Sequence, residues 1–109
     1  MSPADAPVKF TWTPLVRGNY FRPVEAQEIV ATMTQDSTVE LVREPDNPHD
    51  PNAIKVIFNQ VHIGYIGREW AVEMAPHMDL GEPTTAVVDY FYNSSTPALL
   101  VSTGKEEDA

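Results

Sequence analysis

The sequence predicts a mainly β domain in which six short strands close into a small barrel, accompanied by two short helices. Three observations carry that prediction. Ten prolines and five glycines interrupt a chain of 109 residues, too many stops for a helical bundle, because proline removes a backbone donor. Apolar residues alternate with period two over several short runs, the spacing of a half-buried strand. Only two windows, residues 23–33 and 68–78, carry helical signals. A hydrophobic fraction of 42% supports one modest core at this length, and a single domain is expected over residues 8–104.

The elements follow in order. Residues 1–7 are small, polar and proline-rich and are expected to form a disordered tail. Phe10, Trp12, Leu15 and Val16 give a β-like pattern over residues 9–18, which Pro14 interrupts, as at an edge or a bulge. Residues 23–33 read as a helix: Pro23 opens it, acids occupy its first turn, and Ile29 and Met33 recur at i, i+4. Residues 37–44 form a strand with Val39, Leu41 and Arg43 on one face. The β-branched run 53–58 and the run 61–66 make a hairpin around Asn59-Gln60. Gly67 breaks the chain before a helix over 68–78, with Ala71, Met74, Ala75 and Met78 on one face; Pro76 is expected to kink or end it. Residues 84–92 and 98–103 read as a closing hairpin, and residues 105–109 as an acidic tail. Among Tyr90, Phe91 and Tyr92 at least one is expected in the core, and Trp12 and Trp70 read as packing residues.

Seven Lys and Arg against sixteen Asp and Glu give a formal net charge of −9, of which the patterned region 8–104 retains about −6. An acidic body repels a polyanion, so tight non-specific coating of long duplex DNA is not expected, while a local site for one or two phosphates is compatible with this charge. With no cysteine there is no disulfide or thiolate metal site. The first ten residues lack a signal-peptide core and no run approaches a membrane span. A soluble, intracellular and cytoplasmic protein is expected (nuclear in a eukaryote), as a monomer without membrane contact.

The most informative stretch is the loop 45–52. Pro45, Pro48 and Pro51 fix φ at every third residue and stiffen it. Asn47, Asp50 and Asn52 carry short polar side chains suited either to bonding nearby backbone or to meeting a ligand. Asn52 runs straight into a strand and reads as a structural cap, leaving Asn47 and Asp50 as the ligand candidates. Tyr65 is either a core aromatic or a stacking surface, and Arg68 is either solvated or functional.

The run Arg43-Glu44-Pro45-Asp46-Asn47-Pro48-His49-Asp50-Pro51-Asn52-Ala53, followed by Ile63-Gly64-Tyr65-Ile66-Gly67-Arg68-Glu69-Trp70-Ala71, closely resembles the signature of the HIRAN domain family. Val16-Arg17-Gly18-Asn19-Tyr20-Phe21 is similar, more loosely, to that family's first strand and aromatic turn. The resemblance implies an OB-like barrel that captures the 3′ end of single-stranded DNA. It implies that Asp50 meets the 3′-hydroxyl, that Arg68 meets a phosphate, and that Tyr65 and His49 lie beside the terminal base. His49 stands where the family usually carries a stronger stacking aromatic. Tyr20 and Phe21 would supply the upstream aromatic pair. A helicase or nuclease acting in trans, in DNA repair or replication, is the partner so implied. The rival reading is a protein-interaction module whose acidic surface no longer binds nucleic acid.

No chemistry is expected. His49, His62 and His77 lie in different elements without metal-ligand spacing. His49 and Asp50 are adjacent in sequence, which does not orient a general base. Neither a phosphate-cradling glycine loop nor a nucleophile elbow is present, the loop oxygens lack calcium-hand spacing, and no cofactor is implied.

Overall fold

Alternation in the sequence becomes alternation in space. In the computed structural model, which describes residues 11–18, 24–81, 83–93 and 96–102, strand β3 (Thr38–Arg43) buries Val39 and Leu41 and exposes Thr38, Glu40 and Val42. It pairs antiparallel with β4 (Ile54–Phe58), which turns back into β5 (Val61–Ile66). Asn59 and Gln60 join β4 and β5 with φ of 53° and 70°. Positive φ at both central residues marks a type I′ turn, whose twist matches the flanking strands. The register slips between Val56 and Ile57, placing one extra residue, the buried Ile63, in β5.

On its other side β3 pairs with β6 (Thr85–Asn93), which pairs with β7 (Thr96–Ser102). The N-terminal segment completes the ring in two pieces. Strand β1 (Thr11–Trp12) pairs with β7, and β2 (Val16–Arg17) pairs with β5. Between them Pro14 accepts a bond from the Leu99 N–H at 2.9 Å, and Leu15 bridges Ala98. The break at Pro14 therefore lets one segment leave β7 and reach β5. Counted as one interrupted strand, β1 and β2 bring the total to six antiparallel strands in a nearly closed, OB-like barrel with two helices.

Helix α1 (Val24–Val30) buries Ala26 and Val30. It ends earlier than the sequence pattern suggests: Thr32 and Met33 bond back only three residues, to Ile29 and Val30, tightening the last turn. Met33 is still buried, carried inward by that turn and not by a helical face. Helix α2 (Arg68–Asp79) buries Ala71, Met74, Ala75 and Met78, the face expected. Pro76 does not end it. The bond lost there is the one to the Val72 carbonyl, and Val72 and Pro76 both lie on the exposed face, where water can serve that group.

The core joins both helices to the barrel interior, with Ile54, Ile63, Met74 and Leu99 fully buried. Trp12, Trp70 and Phe91 pack against its rim, while Tyr90 and Tyr92 face outward. Among the described residues no helix is long and apolar enough to cross a membrane.

Candidate binding site

The site grows from the connection between β3 and β4. At its base the Glu44 N–H donates to the Ala53 carbonyl at 2.9 Å, and Arg43 Nη1 donates to the same oxygen at 3.0 Å. Arg43 also pairs with Asp79 at the end of α2, 3.0 Å from Nε to Oδ1, so the helix is tied to the root of the loop. Within the loop, Asn47 Oδ1 accepts the backbone N–H groups of His49 at 2.8 Å and Asp50 at 3.1 Å. Asp50 Oδ1 accepts the Asn52 N–H at 2.9 Å. The side chain capping this corner is thus that of Asp50, a task the sequence alone assigns to Asn52. Three prolines cannot donate, so the short polar side chains and the remaining amides hold the bend between them. The second oxygen of Asp50, Oδ2, faces Arg68 Nε at 3.5 Å.

Glu44, to which the sequence assigned no role, is the hub beneath the loop. Its Oε1 accepts Asn47 Nδ2 at 2.8 Å and the Tyr65 hydroxyl at 3.0 Å, and its Oε2 lies 3.7 Å from Lys55 Nζ. His62 packs edge-on against the Tyr65 ring, with centroids 4.8 Å apart. The Asn47 hydrogen bond holds the Glu44 carboxyl below its ordinary value of 4.5; burial opposes this, and the Tyr65 bond, Lys55 and His62 reinforce it. A carboxylate with a depressed folded pKa stabilises the fold fully above the ordinary value and loses that contribution as pH falls through the folded one. Wild type is therefore expected to exceed Glu44→Gln in stability at neutral pH, with the gap closing on acidification below 4.5. Denaturant midpoints across that range check it; a gap independent of pH would show that the charge plays no part.

Where β5 meets α2 the backbone has little room. A Cβ on Gly67 would lie 2.8 Å and 2.9 Å from two carbons of the Trp70 ring, so glycine is required here by close approach. Gly67→Ala is expected to cost about 1–3 kcal/mol, the usual range for forcing a carbon into a packed site. Equilibrium unfolding measures that cost, and a neutral result would mean that the ring shifts freely. The junction matters because it aims two cations. Arg68 Nη2 donates to the His49 carbonyl at 3.3 Å, reinforcing the pair with Asp50. Arg17, on β2, forms an ion pair with Glu69 at 2.7 Å, and its guanidinium lies 5.9 Å from the centre of the Trp70 ring.

These pieces surround an open pocket of about 320 Å³. Asn47, His49, Asp50, Tyr65 and Arg68, all singled out from the sequence, line it together; Arg17, Gly18, Ala53 and Ile66 complete the wall. Tyr20 and Phe21 lie outside the described residues. Arg17 could have been found from strand parity, since Val16 is buried and its neighbour must face out. Glu44 was hidden because its role depends on Tyr65 and Lys55, which only β-pairing brings near. No cluster able to hold a metal ion occurs among the described residues.

A small antiparallel barrel whose loop and following helix enclose an open, mixed-charge pocket is the architecture of a binding module. The chain belongs to the HIRAN domain family, whose profile matches residues 16–96. It is 38% identical over 81 residues to the helicase-like transcription factor of Oryctolagus cuniculus, an alignment covering 70% of this chain and 8% of that protein. Among solved structures, a Lactobacillus plantarum protein is similar with a TM-score of 0.75 and 25% identity, over 88% of this chain and 95% of that one. The HIRAN domain of human HLTF is similar with a TM-score of 0.72 and 27% identity, over 94% of this chain and 83% of that one.

Proposed function

We propose that this domain binds the free 3′ end of a single DNA strand in the pocket between loop 44–53 and the start of α2, and performs no chemistry itself. The observation that carries this reading is the convergence of Asp50, Arg68, His49 and Tyr65 on one open cavity within a HIRAN domain. The terminal base stacks against Tyr65 and His49, an interaction worth about 1–3 kcal/mol per base and indifferent to sequence. Asp50 Oδ2 accepts the 3′-hydroxyl, Arg68 meets the adjoining phosphate, Asn47 holds the bend that presents Asp50, and Tyr20 and Phe21 supply the upstream aromatic pair. An internal nucleotide would set its phosphate against the Asp50 carboxylate, which explains a preference for ends. Only a local site is needed, so a net charge of −9 is tolerable. In the cell such a module, acting as a monomer, brings a helicase or nuclease supplied in trans to free ends in repair or replication.

Fluorescence anisotropy at low and moderate salt tests this. Strands with a free 3′-hydroxyl are expected to bind more tightly than strands with a 3′-phosphate, and Arg68→Ala is expected to weaken both. The acidic surface favours a second reading, a module that docks a basic protein. Absence of binding to every strand at low salt would leave that reading in place of the first.

A further inference from the structure

The pocket holds more positive charge than end capture by Asp50 and Arg68 uses. Arg68, its side chain 73% exposed, pairs loosely with Asp50, Oδ2 to Nε at 3.5 Å, and donates Nη2 to the His49 carbonyl at 3.3 Å. If Asp50 stays in place to receive a hydroxyl, part of the Arg68 field remains spent on it. The pocket wall contains a second guanidinium, Arg17, from a different element. It is held beside the Trp70 ring and against Glu69, with both side chains of that pair about half exposed, at 54% and 53%. Exposed pairs are worth little, since water screens them and competes for both partners. Glu69 takes Arg17 through a single Nη2–Oε2 contact, whereas the two non-bridging oxygens of a phosphodiester can accept both prongs of the guanidinium fork.

We propose that Arg17 is a second phosphate-binding residue of this pocket and that Glu69 is its resident counter-ion, displaced when a strand binds. The proposal rests on the end-binding reading and deepens it. Glu69 pairs with Arg17 at 2.7 Å and competes with the incoming phosphate. In a protein with a net charge of −9 this competition subtracts from the affinity the site can reach. Trp70 limits the excursion of the guanidinium through a cation–π contact, so exchanging the carboxylate for a phosphate requires only a small movement.

The test is a salt titration of anisotropy with a short 3′-hydroxyl strand on the full chain, each variant first checked for folding by circular dichroism. Each phosphate contact on a single strand contributes about 0.7 to the slope of log affinity against log salt. Arg17→Ala is expected to weaken binding several-fold and to flatten the slope by about that amount. Glu69→Gln, which keeps the size of the side chain but not its charge, is expected to tighten binding at low salt, and Arg17→Ala is expected to abolish that gain. Arg17→Lys retains the charge without the fork and should fall between Arg17→Ala and wild type. If wild type prefers the free hydroxyl while Arg17→Ala and Glu69→Gln leave affinity and slope unchanged, this proposal fails and end capture stands. If wild type binds no strand, both fail together.

Discussion

Asp50→Ala is expected to lower affinity for a strand ending in a free 3′-hydroxyl by about tenfold or more, and to erase the preference for that end. A hydrogen bond to a charged group contributes about 1.5–3 kcal/mol, and 1.4 kcal/mol is a factor of ten. The substitution alone is ambiguous, because Asp50 Oδ1 also accepts the Asn52 N–H and Oδ2 faces Arg68. Asp50→Asn separates the roles. Its amide oxygen can still take the Asn52 N–H, so the bend is retained while the charge is gone. A 3′-phosphate strand should then bind about as well as the hydroxyl strand, or better, since Arg68 is released. Anisotropy with the two strands reads the ratio directly. Should Asp50→Asn keep the full wild-type preference, the carboxylate does not read the end.

The largest expected effect on stability belongs to Ile54→Ala. Ile54 is fully buried, opens β4 directly after the loop, and pairs in register with Arg43. Truncating a buried isoleucine removes its transfer free energy and leaves a cavity, together about 2–5 kcal/mol. In a domain of this size each kcal/mol lowers Tm by about 4–8 °C, so even the low end is readily seen in a melt. Ile54→Val, which deletes one carbon, should cost about 0.5–1.5 kcal/mol. Leu80→Ala serves as the contrast: Leu80 is 89% exposed, and surface changes of this kind stay within about 0.5 kcal/mol. A loss at Ile54 no greater than that at Leu80 would mean the core is not packed as described. Weakened end binding should accompany the loss only near the melting range, since Ile54 supports the loop without lining the pocket.

Much of the barrel was legible because its signals are local. Val39 and Leu41 alternate with polar neighbours, Asn59-Gln60 suits a tight turn, and the Ala71, Met74, Ala75 and Met78 spacing is that of one helical face. Each is written into a few consecutive residues. The end of α1 and the passage of α2 through Pro76 were not legible. The first depends on a tight turn that carries Met33 into the core, the second on Val72 lying toward water.

The site divides along the same line. The loop residues Asn47, His49 and Asp50 and the helix-opening Arg68 could be picked out from two short runs of the chain, 43–53 and 63–71. That Glu44 braces both the loop and Tyr65, and that Arg17 shares a wall with Arg68, could not. The strands, the stiff bend and the candidate binding groups can be read along the chain, because backbone propensity and hydrophobic period act over neighbouring residues. Which charges meet is fixed by contacts between residues far apart in the chain. The break at Pro14 sends β2 to the edge of β5, and that long-range pairing is what brings Arg17 to Glu69 and Trp70 and into the pocket wall.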